Sequence, residues 1–319
     1  MTQAKQFNAA YAQVFGAGHM TLGLMTPLAR KPGEAADITA EMMLAARADA
    51  LGFSALWTRE VPLVIPQGSD GEAAVLDDPF LWLAALAVAA PHIAIGTAAT
   101  VLPLRHPLHL AKTALSMDRM TGGRFILGLG SGDRPAEFAA FGQDLNQNNI
   151  VFREHWNILR SALSPDSEER QAMLAATGGY QIGIAPATQI PMLAVGTAKQ
   201  SLQWIAANAD GWATYHREEL RQQGRIGLWE SALDDRAMGE RKPFVQSLQL
   251  DLLERHDAPL EPIELGARTG RTALLGYLER ISQQGVRHVL LNLSRGSRPV
   301  QDIVDELGIH IVPQLELIS

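Results

Sequence analysis

Eight short apolar runs punctuate the chain, at 21–25, 53–57, 93–97, 125–129, 191–195, 211–214, 245–250 and 286–292. Most are apolar at nearly every position, as parallel strands are when both faces of their sheet are covered. Between them, apolar residues recur at helical spacing. In the first interval Ile38, Met42, Ala45 and Ala46 share a face while Glu41, Arg47 and Asp49 point elsewhere, and Gly52 supplies a stop. Further helices are predicted over 79–90, 107–120, 149–163, 198–208, 218–238, 270–284 and 299–307. Pro79, Pro107 and Pro299 suit first-turn positions, where no backbone donor is needed.

Strands alternating with helices from end to end, with no Pro/Gly/Ser linker, predict an α/β protein of the (β/α)8 or TIM-barrel type. An open doubly wound sheet is the rival arrangement. The barrel reading makes 1–319 a single domain, with 1–20 as an N-terminal extension. Long insertions at 59–78, 130–148 and 253–269 each follow a strand, which puts them on the face where barrels bind their ligands. A fourth irregular stretch, 164–190, precedes strand five.

Composition narrows the partners. The net charge is −7 with both signs interspersed, so no basic face is offered to nucleic acid or to an anionic membrane. The absence of cysteine excludes disulfides, thiolate catalysis and cysteine-ligated metal. The apolar stretch 80–99 imitates a membrane span, but Pro91, His92 and Gly96 interrupt it, and it reads as a buried helix running into a buried strand. Met1 to Phe7 lacks the apolar core of a signal peptide, so the expectation is a soluble, cytoplasmic protein.

Several positions carry candidate chemistry. Gly128-Leu129-Gly130-Ser131-Gly132 imitates a dinucleotide fingerprint, but Asp133 stands where the last glycine is needed. The run is either a tight turn or a place where a flat ligand approaches the backbone. Gly196-Thr197, ahead of a helix expected from Ala198, suits an anion, or is an ordinary threonine cap. Arg295 and Arg298 after strand eight compete for the same anion, and Arg268 and Arg271 are candidates for a substrate anion. His216 lies just past strand six, where a general acid or base would sit, whereas His92 and His288 fall at amino ends, on the stability face. Glu60 closes strand two as an acid, a base or an arginine's partner. No His/Asp/Glu spacing suggests a metal.

A longer pattern is more specific. Gly96-Thr97-Ala98-Ala99-Thr100, continuing to Pro107, and then Asp118-Arg119-Met120-Thr121-Gly122-Gly123-Arg124-Phe125, resemble the bacterial luciferase-like flavin monooxygenases. Phe53 to Glu60, Phe138 to Gly142 and Ala209 to Trp212 extend the resemblance over most of 21–214. It implies a barrel, usually dimeric, that takes reduced FMN from a separate reductase and uses O2 on a small organic substrate. A deazaflavin used for hydride transfer and a non-catalytic flavin binder are the alternatives. Carried over residue by residue, Ala98 and Ala99 form a non-prolyl cis peptide beneath the flavin, and Gly130 and Ser131 touch it. Gly196, Thr197 and Gln200 hold its phosphate with Arg153. One departure stands out: the luciferases follow the strand-two glutamate with a catalytic histidine, and here Val61 follows Glu60. Glu60 and His216 are left as candidate proton carriers, and the apolar 61–65 segment as a dry wall.

Overall fold

The computed structural model describes residues 6–29, 33–67, 72–73 and 75–317; residues 1–5 of the N-terminal extension and part of the 59–78 insertion lie outside these. Its barrel strands are β1 (Thr21–Met25), β2 (Ala55–Thr58), β3 (Ala94–Thr97), β4 (Phe125–Gly130), β5 (Met192–Val195), β6 (Gly211–Tyr215), β7 (Phe244–Leu252) and β8 (Val286–Asn292). Each pairs in parallel with the next, and β8 returns to β1 with Thr21 beside His288 and Leu24 beside Leu291. The sheet is therefore closed, and the open alternative is excluded. The intervening helices are α1 (Ile38–Ala50), α2 (Pro79–Ala89), α3 (Pro107–Met120), α4 (Asn148–Ala162), α5 (Leu202–Asn208), α6 (Glu219–Arg236) and α7 (Arg271–Gln283), with α8 (Val300–His310) after β8.

The 80–99 stretch divides into α2 and β3 as its interruptions predict, and among the described residues no helix is long and apolar enough to cross a membrane. The insertion after β7 folds back as a hairpin, Glu261–Ile263 against Gly266–Thr269, whose second strand runs parallel to β7 from Gln249 to Leu252. The 164–190 stretch contains the short helix Gln171–Ala176, tied to α4 by Ser161, whose Oγ accepts from the Met173 amide at 3.0 Å.

Strand side chains alternate between two apolar layers. Leu22, Leu24, Leu56, Ile95, Leu127 and Leu248 face outward under the helices, while Ala55, Trp57, Ala94, Ile126, Leu193, Ala213, Val245 and Leu290 fill the interior. The N-terminal helix Ala9–Phe15 closes the amino end, adding Ala10 and Val14 to that interior.

At the same end lies His288, fully buried. The Trp57 indole Nε1 donates to its Nε2 at 3.0 Å, and its Nδ1 lies 2.7 Å from Thr21 Oγ1. Thr21 spends its only hydroxyl proton on the Val14 carbonyl at 2.6 Å, so it accepts from Nδ1, and the ring is the neutral tautomer with Nδ1 protonated. Gly23 makes room: a Cβ there would sit 2.7 Å from both His288 Nε2 and Trp57 Nε1.

Burial holds the His288 pKa down at about 3. The unfolded chain, near 6.5, takes up this proton first, so the contribution to stability is full above about pH 6.5 and is lost as pH falls toward 3. The slope is roughly 1.4 kcal/mol per pH unit. Urea unfolding of the protein and of His288→Gln, whose amide can still accept from Trp57, is expected to show their stability difference shrinking across that window. A constant difference would mean that the imidazole is protonated inside the barrel.

Candidate functional site

At the carboxyl end of the barrel, β3 breaks. It pairs with β4 only at Ile95 and Gly96, and pairing resumes where Thr100 and Val101 lie beside Leu129 and Gly130. Across the gap Thr97 Oγ1 donates to the Gly128 carbonyl at 2.8 Å and accepts from the Gly128 amide at 3.0 Å, replacing the missing ladder bonds. The Ala98–Ala99 peptide within the break is cis. The Ala98 amide donates to the Thr58 carbonyl at 2.7 Å, and the Glu60 amide to the Ala99 carbonyl at 3.0 Å, so the broken segment is fastened to β2.

The Glu60 side chain secures the chain just beyond the break. Its Oε2 accepts from the Val101 amide at 2.7 Å and its Oε1 from Arg105 at 2.6 Å, while Arg105 also reaches Asp78 at 2.7 Å. Burial pushes the Glu60 carboxyl above its usual range, against the pull of Arg105. With both oxygens engaged, Glu60 is the arginine's partner rather than a free acid or base.

A cavity of about 750 Å³ opens over this break. Ala98, Ala99, Gly130, Ser131, Gly196 and Thr197 line it together with Glu60, so strands three, four and five bring most of the expected site residues to one place. The floor is almost without side chains: a Cβ on Gly130 would lie 3.2 Å from that of Ala99. Asn148, at the start of α4, holds the glycine loop by donating to the Ser131 and Gly132 carbonyls at 3.3 and 3.1 Å.

The segment after β5 is a turn, not the helix start expected at Ala198; α5 opens only at Leu202, capped by Ser201. Gly196, Ala198 and Lys199 have φ of 66°, 46° and 50°, a region that non-glycine residues rarely enter. The turn leaves the Thr197 and Ala198 amides without partners among the described residues. Lys199 also lines the cavity. Arg153, from α4, donates to Gln200 Oε1 and lies over the Trp204 ring, while Gln200 Nε2 donates to the Ala198 carbonyl at 3.1 Å, so this pair stands beside the turn. The rival arginines are committed to carboxylates: Arg295 to Glu264, Arg298 and Arg271 to Glu306, and Arg268 to Asp251.

His216 is not part of the cavity. Ala213 points into the barrel, so period-two alternation turns Tyr215 inward and His216 outward. There His216 Nδ1 lies 3.0 Å from the Tyr277 hydroxyl and 3.3 Å from Gln246 Nε2, in a polar cluster between the strands and α6–α7. Burial, and Arg217 nearby, lower its pKa. The residue missed from sequence is Tyr215, and small Gly211 and Ala213 on the same parity were the available signal. The 61–65 wall is also divided: Ile65 lines the main cavity, but Val61 and Pro62 line a second one of about 480 Å³ on the other side of Glu60.

A family model described as luciferase-like monooxygenase matches residues 20–242. A 4-hydroxyprotoasukamycin monooxygenase of Streptomyces nodosus subsp. asukaensis is 30% identical over 145 residues, covering 46% of this chain and 37% of that protein, so the chain spans little more than a third of that relative's length. Among solved structures, an F420-dependent secondary alcohol dehydrogenase in complex with an F420-acetone adduct superposes with a TM-score of 0.72 at 14% identity, over 93% of this chain and 99% of that one. The oxygenating constituent of 3,6-diketocamphane monooxygenase from Pseudomonas putida, in complex with FMN, gives 0.67 at 14% identity with the same coverage. At that identity the two structures speak for the fold.

The break in β3 yields a test. A Cβ on Gly128 would come 2.0 Å from the Thr97 carbonyl oxygen, where only backbone movement relieves the clash. Gly128→Ala is expected to cost at least about 3 kcal/mol in urea unfolding, whereas Gly130→Ala meets only the Ala99 methyl and leaves the barrel folded. Equal costs would mean that the two strands part freely.

Proposed function

This chain belongs to the luciferase-like monooxygenase family, and on that premise we propose that it is a two-component monooxygenase, binding FMN that a separate reductase has reduced and oxidising a small organic substrate with O2. The observation that carries this reading is a cavity with two unlike ends. At one end Ala98, Ala99 and Gly130 offer a floor with nothing larger than a methyl, which suits a planar ring. At the other, the Thr197 and Ala198 amides, which have no partners among the described residues, the Thr197 hydroxyl and Lys199 suit a dianionic phosphate, with Arg153 close by.

The residues present therefore fit the cofactor, which when bound supplies the oxygen-transfer chemistry. The protein's part is position, charge and dryness. Thr97 and Glu60 fix the floor, Arg105 pairs with the Glu60 carboxylate, and Ile65 turns an apolar side chain to the cavity. Neither Glu60, with both oxygens bound, nor outward-facing His216 is well placed to carry a proton to a substrate, and the inward Tyr215 hydroxyl is the better candidate. A deazaflavin in the same cavity is the second reading, favoured by the likeness to the F420-dependent dehydrogenase.

Titration of flavin fluorescence tests the anchorage. Arg153→Ala is expected to weaken FMN binding by about 1.5–3 kcal/mol, the range for hydrogen bonds to charged groups, and to leave riboflavin binding unchanged. Normal FMN binding by Arg153→Ala together with loss in Arg295→Ala or Arg298→Ala would move the phosphate to the loop after β8. A clear preference of the protein for a reduced deazaflavin over reduced FMN would favour the second reading.

A further inference from the structure

Under α6 and α7, beside apolar neighbours such as Leu248 and Ile281, the helix-facing layer buries a chain of uncharged polar side chains that ends at His216. Gln222 of α6 and Gln246 of β7 are fully buried, and Tyr277 of α7 nearly so. Gln222 Nε2 donates to Gln246 Oε1 at 2.8 Å, and Gln246 Nε2 donates to the Tyr277 hydroxyl at 2.7 Å. Tyr277 in turn lies 3.0 Å from His216 Nδ1, with its ring edge-on to the imidazole. Gln246 Nε2 also lies 3.3 Å from Nδ1, so that nitrogen faces donors and the neutral ring accepts there, with its proton on Nε2.

The same atoms close a second pattern. An amide turned over exchanges its oxygen and nitrogen within one volume. With both glutamines turned, a protonated Nδ1 donates to Tyr277, Tyr277 donates to Gln246 Oε1, and Gln246 Nε2 donates to Gln222. The acceptor this pattern needs at its far end is present: Gln222 Oε1 is buried and has no hydrogen-bond partner among the described residues. An unspent buried acceptor is unusual, and here it gives the chain a place to end when its direction changes.

The surrounding charges leave His216 as the group that titrates. Arg217 and Glu218 lie on the loop before α6, and Glu218 caps that helix. On α6, Arg225 donates to Thr214 Oγ1 at 2.7 Å and Glu219 pairs with Arg280 of α7 at 3.0 Å, while β7 is uncharged from Phe244 to Leu250. Burial pushes the Tyr277 pKa up to about 12, so the phenol keeps its proton. Burial, and after it Arg217, hold the His216 pKa below its usual 6.5.

We propose that His216, Tyr277, Gln246 and Gln222 form a proton-operated switch: the chain donates toward the neutral imidazole, every bond in it reverses when Nδ1 takes a proton from water, and the ring keeps its place in both states. The end of β6, which brings Tyr215 to the cavity, is thereby held while the residue beside Tyr215 changes charge, whatever fills the cavity.

NMR of the full chain, with histidine and glutamine side-chain nitrogens isotope-labelled, reads the switch directly. His216→Gln, Gln222→Met and Gln246→Met assign the signals. At neutral pH, His216 Nδ1 is expected to resonate as an unprotonated acceptor and the Gln222 amide protons as hydrogen-bonded donors. The imidazole is expected to titrate below pH 6.5, with the Gln222 signal losing its hydrogen-bond shift at the same midpoint and the ring keeping its Overhauser contacts to Tyr277. In Gln246→Met the imidazole still titrates, but Gln222 is expected to stop following it. Gln246→Leu repeats that arm if the methionine variant misfolds. A Gln222 signal that ignores the imidazole, or follows it equally without the Gln246 amide, overturns the proposal. So does a neutral ring protonated on Nδ1, a ring that leaves Tyr277 on protonation, or one that stays neutral until the protein unfolds.

Discussion

One threonine hydroxyl holds the carboxyl end of this barrel together. Where β3 stops pairing, Thr97 Oγ1 bonds both the amide and the carbonyl of Gly128, and the strand is free to leave the ladder without losing its place. A sheet edge broken in mid-barrel would otherwise present unpaired backbone groups to the interior. Everything in the cavity is referred to that junction: the floor at Ala98 and Ala99 comes directly after it, and the Glu60 carboxylate catches the chain again at Val101. Glycine at 128 is the condition for the arrangement, since any side chain there meets the Thr97 carbonyl.

Charge is arranged around the same mouth by mutual pairing. Glu60, Asp78 and Arg105 form one set; Asp251 and Arg268 another; Glu306, Arg271 and Arg298 a third. Partly buried carboxylates at these positions raise local desolvation costs that the arginines offset. The consequence is selective. The turn after β5 keeps the Thr197 and Ala198 amides without partners among the described residues, beside Lys199, whereas the arginines of the loop after β8 are paired with carboxylates.

Much of the fold is legible in the chain's hydrophobic pattern. Eight strand-like runs, most of them apolar at nearly every position, and the helical spacing between them point to a parallel sheet covered outside, and the pairing of β8 with β1 decides closure over the open rival. The helix at Pro79 and the strand at Ala94 resolved a span that hydropathy alone would have misread. Boundaries moved where the local code was ambiguous: β7 runs on to Leu252 because the hairpin after it pairs with its end, a long-range contact no window of sequence contains. Ala98, Ala99, Gly130, Ser131, Gly196 and Thr197 converge on one cavity because strands three to five are adjacent in a closed sheet, while Arg153 and Gln200 stand beside it.

The sequence by itself determined the order of elements, the small floor residues and the glycines that let the strands approach. It did so because those features depend on neighbours a few positions apart: periodicity, capping and the absence of a Cβ. Only the tertiary structure decided which polar groups are available. Glu60 is claimed by Arg105 from the next loop, and His216 is turned to Tyr277 and Gln246 by the parity that sends Tyr215 inward. Those outcomes are set by partners about 30 to 60 residues away in the chain, and a side chain's chemistry in a barrel depends on which face of the sheet it occupies and what lies across from it.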